Sequence, residues 1–239
     1  MGLRRLHAFD VEYASAHGML KALYALARRR RKNEHPFPYV AQFACREGVW
    51  LAAANAHGTQ SVMGIDTKDA LESVTCLEPG EFHNIDLEKV KVALPRKADL
   101  LICVEYAHLL NPERAQLLVA DMCASTDMVL FSAGIPYQLH NHELNLQWQS
   151  HWARLFYEQG FLPELKLRER VWTDRSIDPL FRQNCVLYQR AQKMPRKMPD
   201  VGKLDVVHPG IYESMQAKHQ ALAMQLTRTT IRKLMNKKG

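Results

Sequence analysis

The sequence contains no CxxC pair, an absence that removes the common zinc ribbons and dithiol redox motifs from consideration. Its five cysteines (Cys45, Cys76, Cys103, Cys123 and Cys185) are scattered and odd in number, so no disulfide framework is expected. Cys45, Cys103 and Cys185 fall in apolar runs, where a free thiol behaves as a small hydrophobe. That usage suits a reducing, cytoplasmic compartment. No apolar run approaches the roughly 18 residues needed to span a bilayer, which excludes an integral helical membrane protein. The opening MGLRRLHAFDVEY carries two arginines with no apolar stretch behind them, so no secretory signal is read there. Leu6 stands where a myristoylation pattern needs Ser or Thr. No repeat and no low-complexity tract breaks the chain.

What is present is an ordinary globular balance, with 47% hydrophobic and 24% charged residues over 239 positions. The net charge of +7 is unevenly spread. Residues 1–35 carry net +5 and residues 193–239 net +7, whereas the stretch between them carries −5. Three segments follow: a basic N-terminal helical extension over 1–35, an α/β body over 36–190, and a linker with a basic C-terminal helix over 191–239. The unbroken run Arg28–Lys32 and the basic C-terminus suit either solvated arms and helix ends or contacts with nucleic acid or an acidic partner.

Apolar spacing predicts a helix over Ala14–Arg31, with Met19, Leu20, Leu23, Tyr24 and Leu26 on its buried side. Short apolar runs then alternate with helical patterns. Strands are expected at Tyr39–Cys45, Ser61–Ile65, Glu81–Ile85, Asp99–Val104 and Met128–Ala133. Helices are expected at Val49–Ala56, near Lys68–Thr75, at Pro112–Cys123 with Pro in its first turn, and at Gln147–Gln159 before Gly160. Leu165–Trp172 and Cys185–Arg190 read as two further strands, joined by the turn-rich stretch Thr173–Asn184 and forming an antiparallel hairpin at one edge. Strands separated by helices argue for a mostly parallel sheet covered on both faces. Glu213–Asn236 reads as a last helix that docks through Met215, Leu222 and Leu226.

In such a sheet, ligands bind outside the C-terminal strand ends at the switch point. Four places qualify. They are the turn Gln42–Gly48 after the first strand, Asp66 closing the second, Asp86 after the third, and Glu105–Tyr106 after the fourth. A carboxylate at Asp66 serves equally as a helix cap or as acceptor of both hydroxyls of a ribose.

The pieces QFACREGVWLAAANAHG, VMGID, FHNIDLEK, ADLLICVEYAHLLNPERA, DMVLFSAGIP and FRQNCVLYQR together resemble a class I S-adenosylmethionine-dependent methyltransferase, from Val40 to Arg190. The stretch LFSAGIP to NLQWQSHW carries the most specific part of the likeness. The resemblance implies a Rossmann-like, doubly wound, seven-stranded sheet, mostly parallel with one antiparallel strand near an edge. It implies S-adenosylmethionine as cofactor, with Ala44, Arg46 and Gly48 under its methionine part. Asp66 would take the ribose, Asp86 and Leu87 would border the adenine, and Glu105 would approach the methionine amine or the acceptor.

The implied activity is methyl transfer to oxygen or nitrogen of a small molecule or glycan precursor. The other function in view is a catalytically inactive domain of this type that binds nucleic acid or protein. In the family the first turn reads acidic–x–Gly–x–Gly–x–Gly, whereas here Gln42, Ala44 and Arg46 replace the acid and the first two glycines, and Gly48 remains. His140, His142 and His151 cluster with Glu143 in the sequence over the crevice, and His140 or His142 is the expected base. A metal site is not expected from this HxH alone. Trp148 and Trp152, four apart, read as core.

Overall fold

The computed structural model describes residues 3–28, 35–67, 76–138 and 144–235, in two compact units, Met1–Val206 and Val207–Gly239. The expected helix near Lys68–Thr75 lies outside the described residues, as do His140, His142 and Glu143. Among the described residues no helix is long and apolar enough to cross a membrane.

Unit one is built on a seven-stranded sheet of order β3-β2-β1-β4-β5-β7-β6. Its strands are β1 (Tyr39–Phe43), β2 (Ser61–Asp66), β3 (Phe82–Asn84), β4 (Leu100–Cys103), β5 (Met128–Phe131), β6 (Phe161–Glu164) and β7 (Val186–Arg190). Strands β1 to β5 pair in parallel, and β7 runs antiparallel to both β5 and β6. This is the doubly wound, mostly parallel sheet that the strand–helix alternation predicts.

Side chains alternate across the sheet because successive strand residues point to opposite faces. Val40, Val62, Leu100, Ile102, Leu130 and Leu187 belong to one core, under helices α1 (Leu3–Arg28) and α2 (Val49–Ala56). Leu101, Cys103, Val129, Phe131, Val186 and Tyr188 belong to the opposite core, under α3 (Pro112–Ser125) and α4 (Gln149–Glu158). Helix α3 begins where it does because Asn111 Oδ1 accepts the Arg114 N–H at 2.8 Å and Pro112 fills the first position, where a missing N–H costs nothing. Met19, Leu20, Leu23 and Tyr24 of α1 are buried as expected, although that helix starts at Leu3 rather than at Ala14. Val201 and Leu204 extend the second core, and Asp205 accepts both the N–H and the hydroxyl of Ser150 at 2.7 Å.

The sixth strand differs from expectation. Leu165–Trp172 is largely helix, α5 (Lys166–Val171), and the strand precedes it at Phe161–Glu164. Leu165–Lys166–Leu167 alternates as a strand does. Leu167 and Val171, four apart, are both fully buried, which is helical spacing. Pro163 is accommodated because β6 is the sheet edge. The stretch read as turns contains helix α6 (Pro179–Asn184), capped by Asp178 Oδ1 on the Leu180 N–H at 2.7 Å. The last two strands do pair antiparallel at one edge of the sheet, as expected, with β7 lying between β5 and the edge strand β6.

Unit two holds α7 (Pro209–Met235), which begins four residues before the expected Glu213; the His208 Nδ1 accepts the Gly210 N–H at 3.1 Å at its start.

Candidate functional site

Strands β1 and β4 are parallel neighbours, and the chain leaves β1 toward β2 on one side and returns to β4 on the other. That reversal makes the C-terminal ends of β1 and β4 the switch point. A cleft of about 640 Å³ opens there. Val11 and Glu12 of α1, Gln42, Ala44, Cys45 and Arg46, Val104, Glu105, His108, Leu109, and Asp178, Leu180 and Phe181 at the start of α6 line it.

The turn after β1 keeps an unusual backbone. Ala44 has φ +54°, Arg46 +48° and Gly48 +75°. Left-handed backbone costs a non-glycine residue about 1–2 kcal/mol, so two of these three positions are strained. Three hydrogen bonds hold them. Cys45 N–H donates to the Ile65 carbonyl at 3.3 Å, Gly48 N–H to the Cys45 carbonyl at 2.8 Å, and Arg46 N–H to Asp66 Oδ2 at 2.8 Å. Gly48 is also required by packing, since a Cβ there would lie 2.6 Å from Leu77 Cγ.

Asp66 stands buried at the end of β2 and is not part of the cleft wall. Its Oδ1 accepts the Thr67 N–H at 2.8 Å, so each oxygen already takes one backbone donor. Burial pushes its carboxyl above the usual range, against the lowering effect of those two N–H groups. Asp86 is nearer the surface, with Oδ1 accepting the Glu88 N–H and Oδ2 paired to Lys89 at 2.7 Å. The Lys89 ammonium holds the Asp86 carboxyl below its ordinary value. Leu87 is fully buried, and its carbonyl accepts Arg114 Nε at 2.6 Å. Neither Asp86 nor Leu87 reaches the cleft wall.

Arg46 does not fill the crevice. Its side chain is 64% exposed, with Nη1 3.6 Å from Glu12 Oε2 and Nε 3.5 Å from Glu47 Oε2. Burial raises the Glu12 carboxyl above its ordinary value; Arg46 opposes that shift and Glu47 adds to it.

Glu105, after β4, is also left-handed, at φ +51°. Its N–H donates to the carbonyl and the hydroxyl of Ser132, both at 3.0 Å. Its Oε1 accepts Ser132 Oγ at 2.8 Å and Asn184 Nδ2 at 3.3 Å. His108 Nδ1 accepts the Gly134 N–H at 3.0 Å, which places the proton of the neutral ring on Nε2. Gly134 permits that approach, because a Cβ there would meet Leu146 at 2.9 Å. Trp152 is core against Phe131, whereas Trp148 is 38% exposed at the cap of α4. His151 packs edge-on to Trp152, and burial lowers its pKa.

The cleft therefore gathers Gln42, Ala44, Arg46 and Glu105 of the sequence candidates, together with Glu12, Asp178 and Phe181, which the sequence reading passed over. Asp178 carried a signal: Asp–Pro ahead of an apolar residue is a helix start. Glu12 carried none, since only the fold brings it to the cleft.

No family model matches the sequence, and no curated protein matches it. Solved structures share the fold. CalS10, an amino pentose methyltransferase of Micromonospora echinaspora solved with bound SAM, aligns with a TM-score of 0.57 and 13% identity, over 80% of this chain and 98% of that one. DesVI of Streptomyces venezuelae aligns at 0.56 and 12% identity, over 79% and 97%. KedS8, a sugar N-methyltransferase of a Streptoalloteichus species, aligns at 0.56 and 13% identity, over 75% and 88%. The likeness is one of fold: this chain has the Rossmann-like fold of those methyltransferases.

Proposed function

We propose that the chain is an S-adenosylmethionine-dependent methyltransferase acting on oxygen or nitrogen of a small molecule or glycan precursor. The observation that carries this reading is the turn after β1. It keeps left-handed backbone at Ala44, Arg46 and Gly48, the positions at which the resembling family has glycine, although Ala44 and Arg46 are strained there. Strain of that kind concentrates at ligand clamps. The two solved neighbours described as sugar methyltransferases add support for a glycan-type acceptor.

The chemistry of the side chains suits the cofactor. Arg46 offers a guanidinium to a carboxylate, and Glu105 offers a carboxylate to an ammonium. Asp66 retains a second lone-pair site on each oxygen for hydroxyl donors. Asp86 and Leu87 would stand beside the base. When bound, S-adenosylmethionine supplies an electrophilic methyl group on a sulfonium. The protein's share is then to orient the acceptor in the cleft and exclude water from it. His140 or His142 would take the acceptor's proton. Changing the acting histidine to alanine should lower turnover by about 10²–10⁴ with cofactor affinity intact; equal turnover in both variants removes that role.

A second reading, an inactive domain that binds nucleic acid or an acidic partner through the basic run Arg28–Lys32 and the C-terminal helix, is favoured by one observation. Both Asp66 oxygens already accept backbone donors. Calorimetric titration with S-adenosylmethionine and S-adenosylhomocysteine decides between them. Micromolar binding is expected from the first reading, and no binding at millimolar ligand would sink it. The second predicts salt-sensitive DNA or RNA binding that is lost on deleting either basic segment.

A further inference from the structure

Among the described residues, the cleft wall carries three carboxylates and one guanidinium, that of Arg46, besides His108. Glu12 comes from α1, Glu105 follows β4, and Asp178 caps α6. Beneath them lies Gln42, 2% exposed on β1, whose Oε1 is buried without a hydrogen-bond partner among the described residues. An amide oxygen left unpaired in the interior costs about 1–3 kcal/mol, and buried groups of this kind are retained where a ligand or water completes them. The structure thus sets an unpartnered acceptor among three carboxylates, in a chain whose overall charge is positive.

Charge counting sharpens this. The lining carries three carboxylates against one guanidinium, a formal charge of −2. Arg46 is already engaged by Glu12 and by Glu47. A sulfonium amino acid brings two positive charges and one negative, or +1 in all. One negative charge is left over, and a charge enclosed in a cleft is costly unless it is paired.

We infer that the acceptor sharing this cleft is a small amine, held as its ammonium by Gln42 Oε1 and the carboxylates of Glu12 and Asp178. This rests on the methyltransferase reading and narrows its acceptor to nitrogen. An ammonium supplies up to three donors and one positive charge, which answers both the unpaired amide oxygen and the residual charge. A neutral hydroxyl supplies one donor and no charge. Before its nitrogen can act as a nucleophile the ammonium gives up one proton, and the Glu12 carboxylate, whose proton affinity is increased by burial, is the group on the wall suited to receive it. The methylated ammonium formed by the transfer has a further proton to lose, and that one falls to the base of the methyltransferase reading.

The test is calorimetric titration of the full chain, first with S-adenosylhomocysteine and then, at saturation, with two matched pairs: glucosamine against glucose, and 1,3-diaminopropane against 1,3-propanediol. At least one amine should bind about tenfold or more tighter than its hydroxyl counterpart. Gln42→Leu, close in volume, should weaken that amine by about tenfold with no fall in the melting temperature of the ligand-free chain. Gln42→Glu should tighten it, and Glu12→Gln should weaken it. Equal affinity within both pairs overturns the inference. So does displacement of the amine by S-adenosylhomocysteine, which would mean that the acceptors serve the cofactor's own ammonium. If S-adenosylhomocysteine does not bind, the methyltransferase reading fails separately. The amine preference is then measured on the chain alone, and equal affinities again overturn it.

Discussion

Removing the Asp66 carboxylate should destabilise the protein even before any ligand is added. In Asp66→Ala the N–H groups of Arg46 and Thr67 lose the acceptor that each holds at 2.8 Å. An unsatisfied buried donor costs about 1–3 kcal/mol. Both donors sit close enough to the surface for partial hydration, and the carboxylate's own burial penalty is relieved. The net expectation is therefore the lower part of that sum, about 2–3 kcal/mol. For a unit of this size a kilocalorie moves the melting temperature by about 2–4 °C, so the shift is about 4–12 °C downward. Urea and thermal unfolding of the ligand-free protein measure it. The loop adds an internal control. With Ala44→Gly and Arg46→Gly already in place, the left-handed backbone no longer has to be held against about 1–2 kcal/mol of strain per residue. The cost of Asp66→Ala should then shrink by about 1–2 kcal/mol, a coupling read from the mutant cycle. A melting temperature within about 2 °C of the parent, or no coupling, refutes the role of Asp66 as the loop's anchor.

Stability should depend on pH through His57, which stacks on His17 at 4.4 Å and whose pKa is lowered below 6.5, chiefly by burial. Between the folded pKa and 6.5 the unfolded chain binds more protons. The contribution is therefore full above pH 6.5 and lost as pH falls below it. His57→Asn should flatten the decline in melting temperature between about pH 6.5 and 5.5; an unchanged slope rejects it. Cys45, Cys103, Cys123 and Cys185 are buried and only Cys76 is partly accessible, so the native chain should give one fast-reacting thiol and the unfolded chain five. Burial lifts the buried thiols further out of reach, Cys123 to about 12. Gly64→Ala would bring a Cβ to 2.7 Å from both Cys45 Sγ and Leu77 Cδ1, and should cost about 1–3 kcal/mol by denaturant titration.

The sequence made some of this architecture plain and hid the rest for physical reasons. Helix α2 is bounded by Gly48 and by the turn at His57–Gly58, and its limits are the same in sequence and structure. Strands β1, β2, β4 and β5 are buried on both faces, so their apolar runs stand out. The far edge of the sheet was obscured because β6 is four residues long and contains a proline, while Leu165–Arg168, leading into the next helix, alternates apolar and charged residues like a strand. The candidate site divides in the same way. Ala44, Arg46 and Glu105 lie beside strand ends and are visible as local signals. Glu12, Gln42 and Asp178 are separated by up to 166 positions, and nothing short of the fold brings them together.

The placement of β7 between β5 and β6 also fixes an order of events during synthesis. Strand β5 ends at Phe131, but its partner on that side begins only at Val186, 55 residues later. At about 5–20 residues per second, the nascent chain carries the bare edge of an uncharged Met-Val-Leu-Phe strand for about 3–11 s. That edge is a template for wrong partners until β7 arrives to pair with it, and with β6 on its own other side. The last strand made is therefore the one that seals the sheet, and the Asn184 that anchors Glu105 arrives just ahead of it. The cleft is completed at nearly the same moment as the fold.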